Sequence, residues 1–398
     1  MNAIVKEANL QQPTHDELVA RARALVPVLR ERAMQTEQDR RVPDATVASY
    51  HEADILKVLQ PARFGGLEMN YLVFADIIME LAQGCGSSAW VYSVLGEHKW
   101  VIAMYSELAQ DEVWGKDPSA ASCASFVPQG KAERVAGGYR INGRWPFASG
   151  CDHAQWAILG SFVETKEGRG ELRDFLVPIR ELEKLDDWRV LGLAGTGSKS
   201  LVAKDVFVPE HRAAVHDELK AGMSAGRHVH PQWHMCQSPR SFMAPFTLIS
   251  AMVGMARRTV DLYAENTKTR VSRGTRVAEL DTVQLKLSES AAEVDTARLL
   301  VRSTCIENTR VLTSGEEVTM DRIVKTRRDM VFAVKLAKQA ADRVFLASGG
   351  NALYDTSPIQ HVYRDVLAAS SHLFMNWELG ALPYGQHRLG FPVVSPLI

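Results

Sequence analysis

Cysteine, net charge and long apolar runs are what this chain has little of. Its five cysteines (Cys85, Cys123, Cys151, Cys236, Cys305) are odd in number and never form a Cys-x-x-Cys pair. That excludes a disulfide framework and leaves them as reduced, mostly buried small hydrophobes. Lys and Arg number 46 against 47 Asp and Glu, a net charge of -1, so no positive field draws phosphate backbones and nucleic acid is not an expected partner. No run of about 18 apolar residues occurs, and Met1 to Gln12 has no signal-peptide core, so no membrane span is expected and the chain should stay in the cytoplasm. A Gly-x-Gly-x-x-Gly after a strand is missing too, which removes a nicotinamide site.

What is there is an ordinary globular composition, 46% hydrophobic and 23% charged over 398 residues, enough for one large domain or two to three packed ones. Residues 1–118 read as a helical domain. Asp16 to Gln38 is rich in Ala, Leu, Arg and Glu; Asp44 is an N-cap for a helix to about Leu59; Pro61 stops it, and Tyr71 to Gln83 and Trp90 to Tyr105 resume the helical spacing. Residues 119–213 read as an antiparallel β domain. Arg140 to Phe147, Gln155 to Val163, Arg173 to Pro178 and Ser200 to Pro209 are rich in Val, Ile, Phe and Trp, with hairpin signals at Gly137-Gly138 and Gly168-Arg-Gly170. Residues 214–239, rich in Gly, Ser, His and Pro, read as a connecting loop. Residues 240–398 read as a helix bundle: Leu280, Val283, Leu287, Ala291, Val294, Ala297, Val301 and Cys305 recur at helical steps, with partners around Phe242 to Tyr263 and Ile323 to Ala347. The class is α+β, mainly α.

Two stretches carry chemistry. Trp145-Pro-Phe-Ala-Ser149-Gly-Cys-Asp-His-Ala-Gln-Trp156 ends a β-hairpin with a serine beside a glycine, where a flat ligand can be met edge-on. Arg364-Asp365-Val-Leu-Ala-Ala-Ser-Ser-His372 puts an imidazole near the end of a helical half. Three other patterns are decoys. Gly192-Leu-Ala-Gly-Thr-Gly-Ser-Lys-Ser200 imitates a phosphate loop but breaks the Gly-Lys order. His228, His230, His234 and Cys236 have metal-ligand types in a Pro- and Gly-punctuated connector, so no metal centre is expected. Cys151-Asp152-His153 are chain neighbours that cannot converge on one atom.

The helical, β, helical order resembles the acyl-CoA dehydrogenase fold. The chain is more closely similar to group D flavin-dependent two-component monooxygenases, such as the oxygenase components of p-hydroxyphenylacetate and seco-steroid phenol hydroxylases. The matching segments are Gln60-Pro-Ala-Arg-Phe-Gly-Gly66, Gly84-Cys-Gly-Ser-Ser-Ala-Trp90, Phe147-Ala-Ser-Gly-Cys-Asp-His153, Gly192 to Gly197 with Lys204-Asp-Val-Phe-Val-Pro209, and Ser357-Pro-Ile-Gln360 with Arg364-Asp365. Dehydrogenases of this fold carry a catalytic glutamate about nine residues after the Arg-Asp pair. Leu373 stands there, preceded by His372, whose unperturbed pKa of about 6.5 suits proton transfer near neutrality.

The resemblance implies hydroxylation of a phenolic or related aromatic ring by reduced FMN or FAD and dioxygen through a C4a-hydroperoxide, the flavin arriving from a separate NAD(P)H-dependent reductase. It gives Ser149 the flavin N5 hydrogen, His372 the part of base toward the phenol, and His98 a position near flavin and substrate. Ser122 and Ser125 would meet the ring carbonyls, and Trp145 and Phe147 would wall the pocket. Arg270 and Gly349-Gly350 would hold the flavin tail, and a homotetramer would complete that site across a subunit interface. The alternatives are an acyl-CoA dehydrogenase with an unusual base, a monooxygenase acting on an indole or sulfur heterocycle, and a flavin-free assembly protein.

Overall fold

The amino-terminal helices begin where local capping starts them. A computed structural model describes residues 12–398 except Glu167, Arg273 and Pro396; residues 1–11, where the lack of a targeting segment is read, lie outside the described residues. Thr14 accepts the Glu17 N–H and the Glu17 carboxylate accepts the Thr14 N–H, a capping box that opens α1 (His15–Gln38). The helix expected from Asp44 to about Leu59 is shorter, α2 (Asp44–Glu52). Asp54 takes φ +59° and the chain goes on as a single tight turn at Ile55–Lys57. Asp44 is the first helical residue rather than the cap, where its carboxylate still faces the positive end of the helix. Next come α3 (Tyr71–Leu81), α4 (Gly86–Ala103) and α5 (Glu107–Trp114). Every residue of α4 is buried, Glu97, His98 and Lys99 included, because α3, the sheet and a later helix cover it on all sides.

Among the described residues seven strands form the main sheet: β1 (Ser122–Val135), β2 (Gly138–Ala148), β3 (Trp156–Thr165), β4 (Gly168–Pro178), β5 (Glu183–Leu185), β6 (Lys199–Pro209) and β7 (Ala213–Val215). Their order is β5-β6-β2-β1-β3-β4-β7, and only β1 and β3 run parallel. Both glycine signals mark hairpins. Gly137, at φ +81°, turns between Val135 and its partner Gly138, and Thr165 pairs with Gly168. Near its end β2 loses regular alternation: its pairing with β6 shifts between Trp145 and Ala148, and Phe147 takes φ +64°. Strict alternation would send Trp145 and Phe147 to one face; the bulge parts them.

The segment read as a connecting loop folds into single turns. It holds α6 (His216–Ala221), α7 (Gly226–Val229) and a tight turn at His234–Gln237. Trp233, Met235 and Cys236 are buried in the core, and Met235 O accepts the Trp100 indole N–H at 2.8 Å. Glycine and proline keep these helices short, while the few apolar side chains between them pin the segment down. The bundle follows with α8 (Arg240–Met243), α9 (Pro245–Thr269), α10 (Asp281–Ser314), α11 (Met320–Ala347), α12 (Pro358–Ser370) and α13 (Trp377–Arg388). Helix α9 packs against α3, α4, α10, α11 and α12 and so lies at the centre of the helical layers. All five cysteines are free and buried. No helix among the described residues is long and apolar enough to cross a membrane.

One loop of the β domain is hydrogen-bonded to the bundle. The Leu193 N–H donates to Asp365 Oδ1 at 2.6 Å, and Arg364 Nη1 donates to Leu191 O at 2.9 Å. The contact is close enough that a Cβ on Gly192 would stand 2.0 Å from the Arg364 carbonyl oxygen. Gly192→Ala should therefore push the loop off α12 at a cost of about 2–3 kcal/mol, read as a lower melting temperature; an unchanged one would show that the loop is not held there.

Candidate active site

Helix α4 aims one face at the β2 terminus. Trp90, Val94, Glu97 and His98 fall at i, i+4, i+7 and i+8, a single stripe on a helix, and all four line a hollow of about 90 Å³. Ala124 and Phe126 of β1, Phe147 and Ser149 at the end of β2, Arg240 and Leu248 of the bundle, and His372 and Phe374 after α12 close the rest of it. The Trp90 indole joins the two residues singled out in the sequence. Its Nε1–H donates to Ser149 Oγ at 3.3 Å, and its ring meets the His372 ring edge-on at 5.7 Å between centroids. Behind Ser149 runs a chain of hydroxyls, Ser149 Oγ to Ser198 Oγ and Ser198 Oγ to Thr196 Oγ1, each 2.7 Å.

Both histidines of the hollow are neutral at pH 7, and they are protonated on opposite nitrogens. His98 Nδ1 lies 2.7 Å from the Ser122 carbonyl oxygen, which can only accept, so His98 carries its proton on Nδ1 and leaves Nε2 a bare acceptor. His372 Nδ1 accepts the Phe374 N–H at 3.2 Å, so its proton sits on Nε2, a donor. Burial pushes the His98 pKa down to about 4. His372 opens to the hollow on one side only; its protein walls, and then the nearby Arg327 charge, likewise bring it to about 4. Arg327 is fully buried, stands 5.3 Å over the Phe374 ring and donates to Phe374 O at 3.2 Å. Glu97 goes the other way: burial lifts its carboxyl to about 7 against the opposing pull of Arg240. Arg240 itself lies 3.5 Å over the Phe126 ring and 3.6 Å from Asp174.

The structure brings Ser149, His372 and His98 to one hollow, with Phe147 on its wall. Trp145 is not on that wall. It is fully buried, donates to Gly160 O at 2.7 Å and fills the space over Gly130, because the β2 bulge turns only Phe147 outward. Ser125 has its hydroxyl on Pro146 O at 2.8 Å, while Ser122 is buried with an unpartnered Oγ and reaches the hollow only through its carbonyl on His98. Arg270, Ser348, Asn351 and Tyr354 line a second hollow that shares no residue with the first. There Arg270 Nη1 donates to Ser348 O at 2.7 Å, and its guanidinium lies where a Cβ on Gly349 would be; Gly350 is open. Leu373 is 46% exposed and turns away from the first hollow. Of the decoys, His230 pairs with Gln110 at 2.7 Å and His153 with Val42 O at 2.8 Å.

Sequence reading missed Glu97, Arg240, Thr196 and Ser198. One signal was available: Glu97-His98-Lys99 interrupts an apolar helical run, and three adjacent ionisable residues at full burial need partners. Glu97 makes a pH-dependent prediction. Its folded pKa of about 7 stands above the 4.5 of a free carboxyl, so the folded state holds a proton there that the unfolded state lacks. That contribution is complete below about 4.5 and is lost as pH rises to about 7. Glu97→Gln cannot titrate, so its melting temperature should gain on that of the parent protein between about pH 5 and about pH 8; parallel pH profiles would refute the assignment.

Residues 12–117 match the family model described as acyl-CoA dehydrogenase, N-terminal domain, and residues 246–377 match that of the acyl-CoA dehydrogenase C-terminal domain. The chain is 36% identical over 392 residues to the oxygenase subunit of a flavin-dependent monooxygenase of Mycobacterium tuberculosis, covering 96% of this chain and 98% of that one. It is 34% identical to the oxygenase component of an FADH2-dependent resorcinol hydroxylase of a Rhizobium species, covering 96% of each. The crystal structure of a 3-HSA hydroxylase from Rhodococcus superposes with a TM-score of 0.92 at 33% identity, over 97% of this chain and 100% of that one.

Proposed function

As the chain belongs to the oxygenase components of flavin-dependent monooxygenases built on the acyl-CoA dehydrogenase fold, we propose that it hydroxylates a phenol whose hydroxyl is held by His98. The enzyme works with reduced flavin delivered by a separate reductase, and the flavin supplies activated dioxygen when bound. The residues present fit such a group. Ser149 Oγ opens to the hollow; Phe147, 63% exposed, offers an uncovered aromatic face; and Arg270 beside Gly349 suits the phosphate of a flavin tail.

The observation that carries the reading is the opposite protonation of the two imidazoles. A phenol needs an acceptor for its O–H so that charge moves into the ring, and the bare Nε2 of His98 is that acceptor. His372, with its proton on Nε2, serves as donor on the cofactor side. The resemblance gives the base to His372; the Phe374 N–H on its Nδ1 argues for exchanging the two roles. A developing phenolate raises the pKa of the imidazole beside it, so His98 can accept the proton although burial alone disfavours its cation. The acyl-CoA dehydrogenase reading has no carboxylate at position 373.

With a reductase, NADH and oxygen, the protein should convert phenols to hydroxylated products, and it should not bleach bound flavin with an acyl-CoA thioester under anaerobic conditions. His98→Ala should lower hydroxylation by about a hundredfold with flavin affinity retained. Ser149→Ala should raise the share of flavin oxidation that ends in hydrogen peroxide. Turnover by His98→Ala at the parent rate would sink the assignment.

We also propose a homotetramer. Leu285, Leu299 and Ile306 on α10 and Leu346 on α11 are half or more exposed, apolar surface that a second copy would cover. In such an assembly the Arg270 hollow would take the tail of a flavin whose ring lies in a neighbouring chain. Light scattering should report four chains per particle; a monomer would rule this out. The NAD(P)H feeding the reductase is a cytoplasmic reductant, which gives the pair a cytoplasmic setting.

A further inference from the structure

The hydroxyl chain behind Ser149 admits one arrangement of protons. Thr196 Oγ1 lies 2.7 Å from the Leu193 carbonyl oxygen, which cannot donate, so the threonine proton goes there. Ser198 Oγ is 2.7 Å from Thr196 Oγ1; with the threonine proton spent, Ser198 donates to it. Ser149 Oγ is 2.7 Å from Ser198 Oγ and must donate in turn, since the Ser198 proton is also spent. The Trp90 indole, a donor only, takes one lone pair of Ser149 at 3.3 Å. Ser149 is left with one lone pair, and no proton, for a ligand in the hollow. The start of the chain is fixed as well: Leu193 O also accepts the Trp188 indole N–H at 3.1 Å, and the Leu193 N–H is tied to Asp365.

Reduction of a flavin changes the hydrogen-bonding character of N5. N5 carries a hydrogen in the dihydro ring and a bare lone pair in the oxidised ring. We propose that Thr196 and Ser198 are positioning residues that turn the Ser149 proton away from the hollow, so that Ser149 meets flavin only as an acceptor and the site prefers the reduced ring to the oxidised one. The inference rests on the reading that Ser149 faces N5. Toward the reduced ring the remaining lone pair finds a hydrogen; toward the oxidised ring it faces another lone pair, and the N5 acceptor goes unpaired. The oxygenase therefore takes flavin in the form its reductase makes and releases it once oxidised.

The test compares dissociation constants of oxidised and reduced flavin, the latter measured anaerobically, without any turnover. Ser198→Ala removes the acceptor of the Ser149 proton, and Thr196→Val lets the Ser198 proton swing to Ser149; each allows Ser149 to donate into the hollow. Both should tighten oxidised flavin relative to reduced flavin by about tenfold, and Thr196→Ser should keep the parent ratio. Thr196→Val matches the parent side chain in shape, so it carries the comparison even where Ser198→Ala folds poorly. If Ser149→Ala changes either affinity while Ser198→Ala and Thr196→Val keep the parent ratio, the relay is wrong and the flavin contact stands. If Ser149→Ala changes neither affinity, the contact itself is wrong and the relay falls with it.

Discussion

The bond from the Leu193 N–H to Asp365 is the contact on which the site depends. It ties the β-domain loop 192–197 to α12, and through them it sets two groups at once. The loop carries Thr196 and leads into Ser198, which reach Ser149 from behind, while α12 ends just before His372. Burial lifts the Asp365 carboxyl to about 7, yet as acid or anion it still has an oxygen for the Leu193 amide. Gly192 is the local requirement, since any side chain there would meet the Arg364 backbone.

Burial is also what gives the hollow its chemistry. An apolar surround disfavours charge, so the imidazoles of His98 and His372 stay neutral and the carboxyl of Glu97 tends toward its acid form. Neutral imidazoles have a direction, and a single backbone contact on each ring sets it: the Ser122 carbonyl for His98, the Phe374 amide for His372. Two residues of one type thus become an acceptor and a donor. The same logic governs Ser149, whose proton is placed by hydroxyls that never reach the ligand.

Much of the fold was legible in the chain because its signals are local. The helix-rich composition of Asp16 to Gln38, the hairpin turn at Gly137 and the long apolar stripe of α10 each follow from residues a few positions apart. The misreadings have local causes too. Asp54 ended α2 early by taking a left-handed conformation that aspartate tolerates. The Gly, His and Pro content of 214–239 masked a segment pinned by Trp233 and Met235. The β2 bulge sent Trp145 to the core and Phe147 to the hollow, which a simple period of two cannot foresee.

By itself the sequence determined the order of elements and the family, and it singled out Ser149 and His372, which the fold brings to one hollow, because motif and periodicity are written along the chain. Only the tertiary structure decided which nitrogen of each histidine holds the proton, that Glu97 and Arg240 share their hollow, and that Thr196 and Ser198 direct Ser149. Those features depend on hydrogen bonds and burial between segments far apart in sequence. The position of a proton is fixed by the neighbour that folding brings to it, and no pattern of residue types along the chain specifies that neighbour.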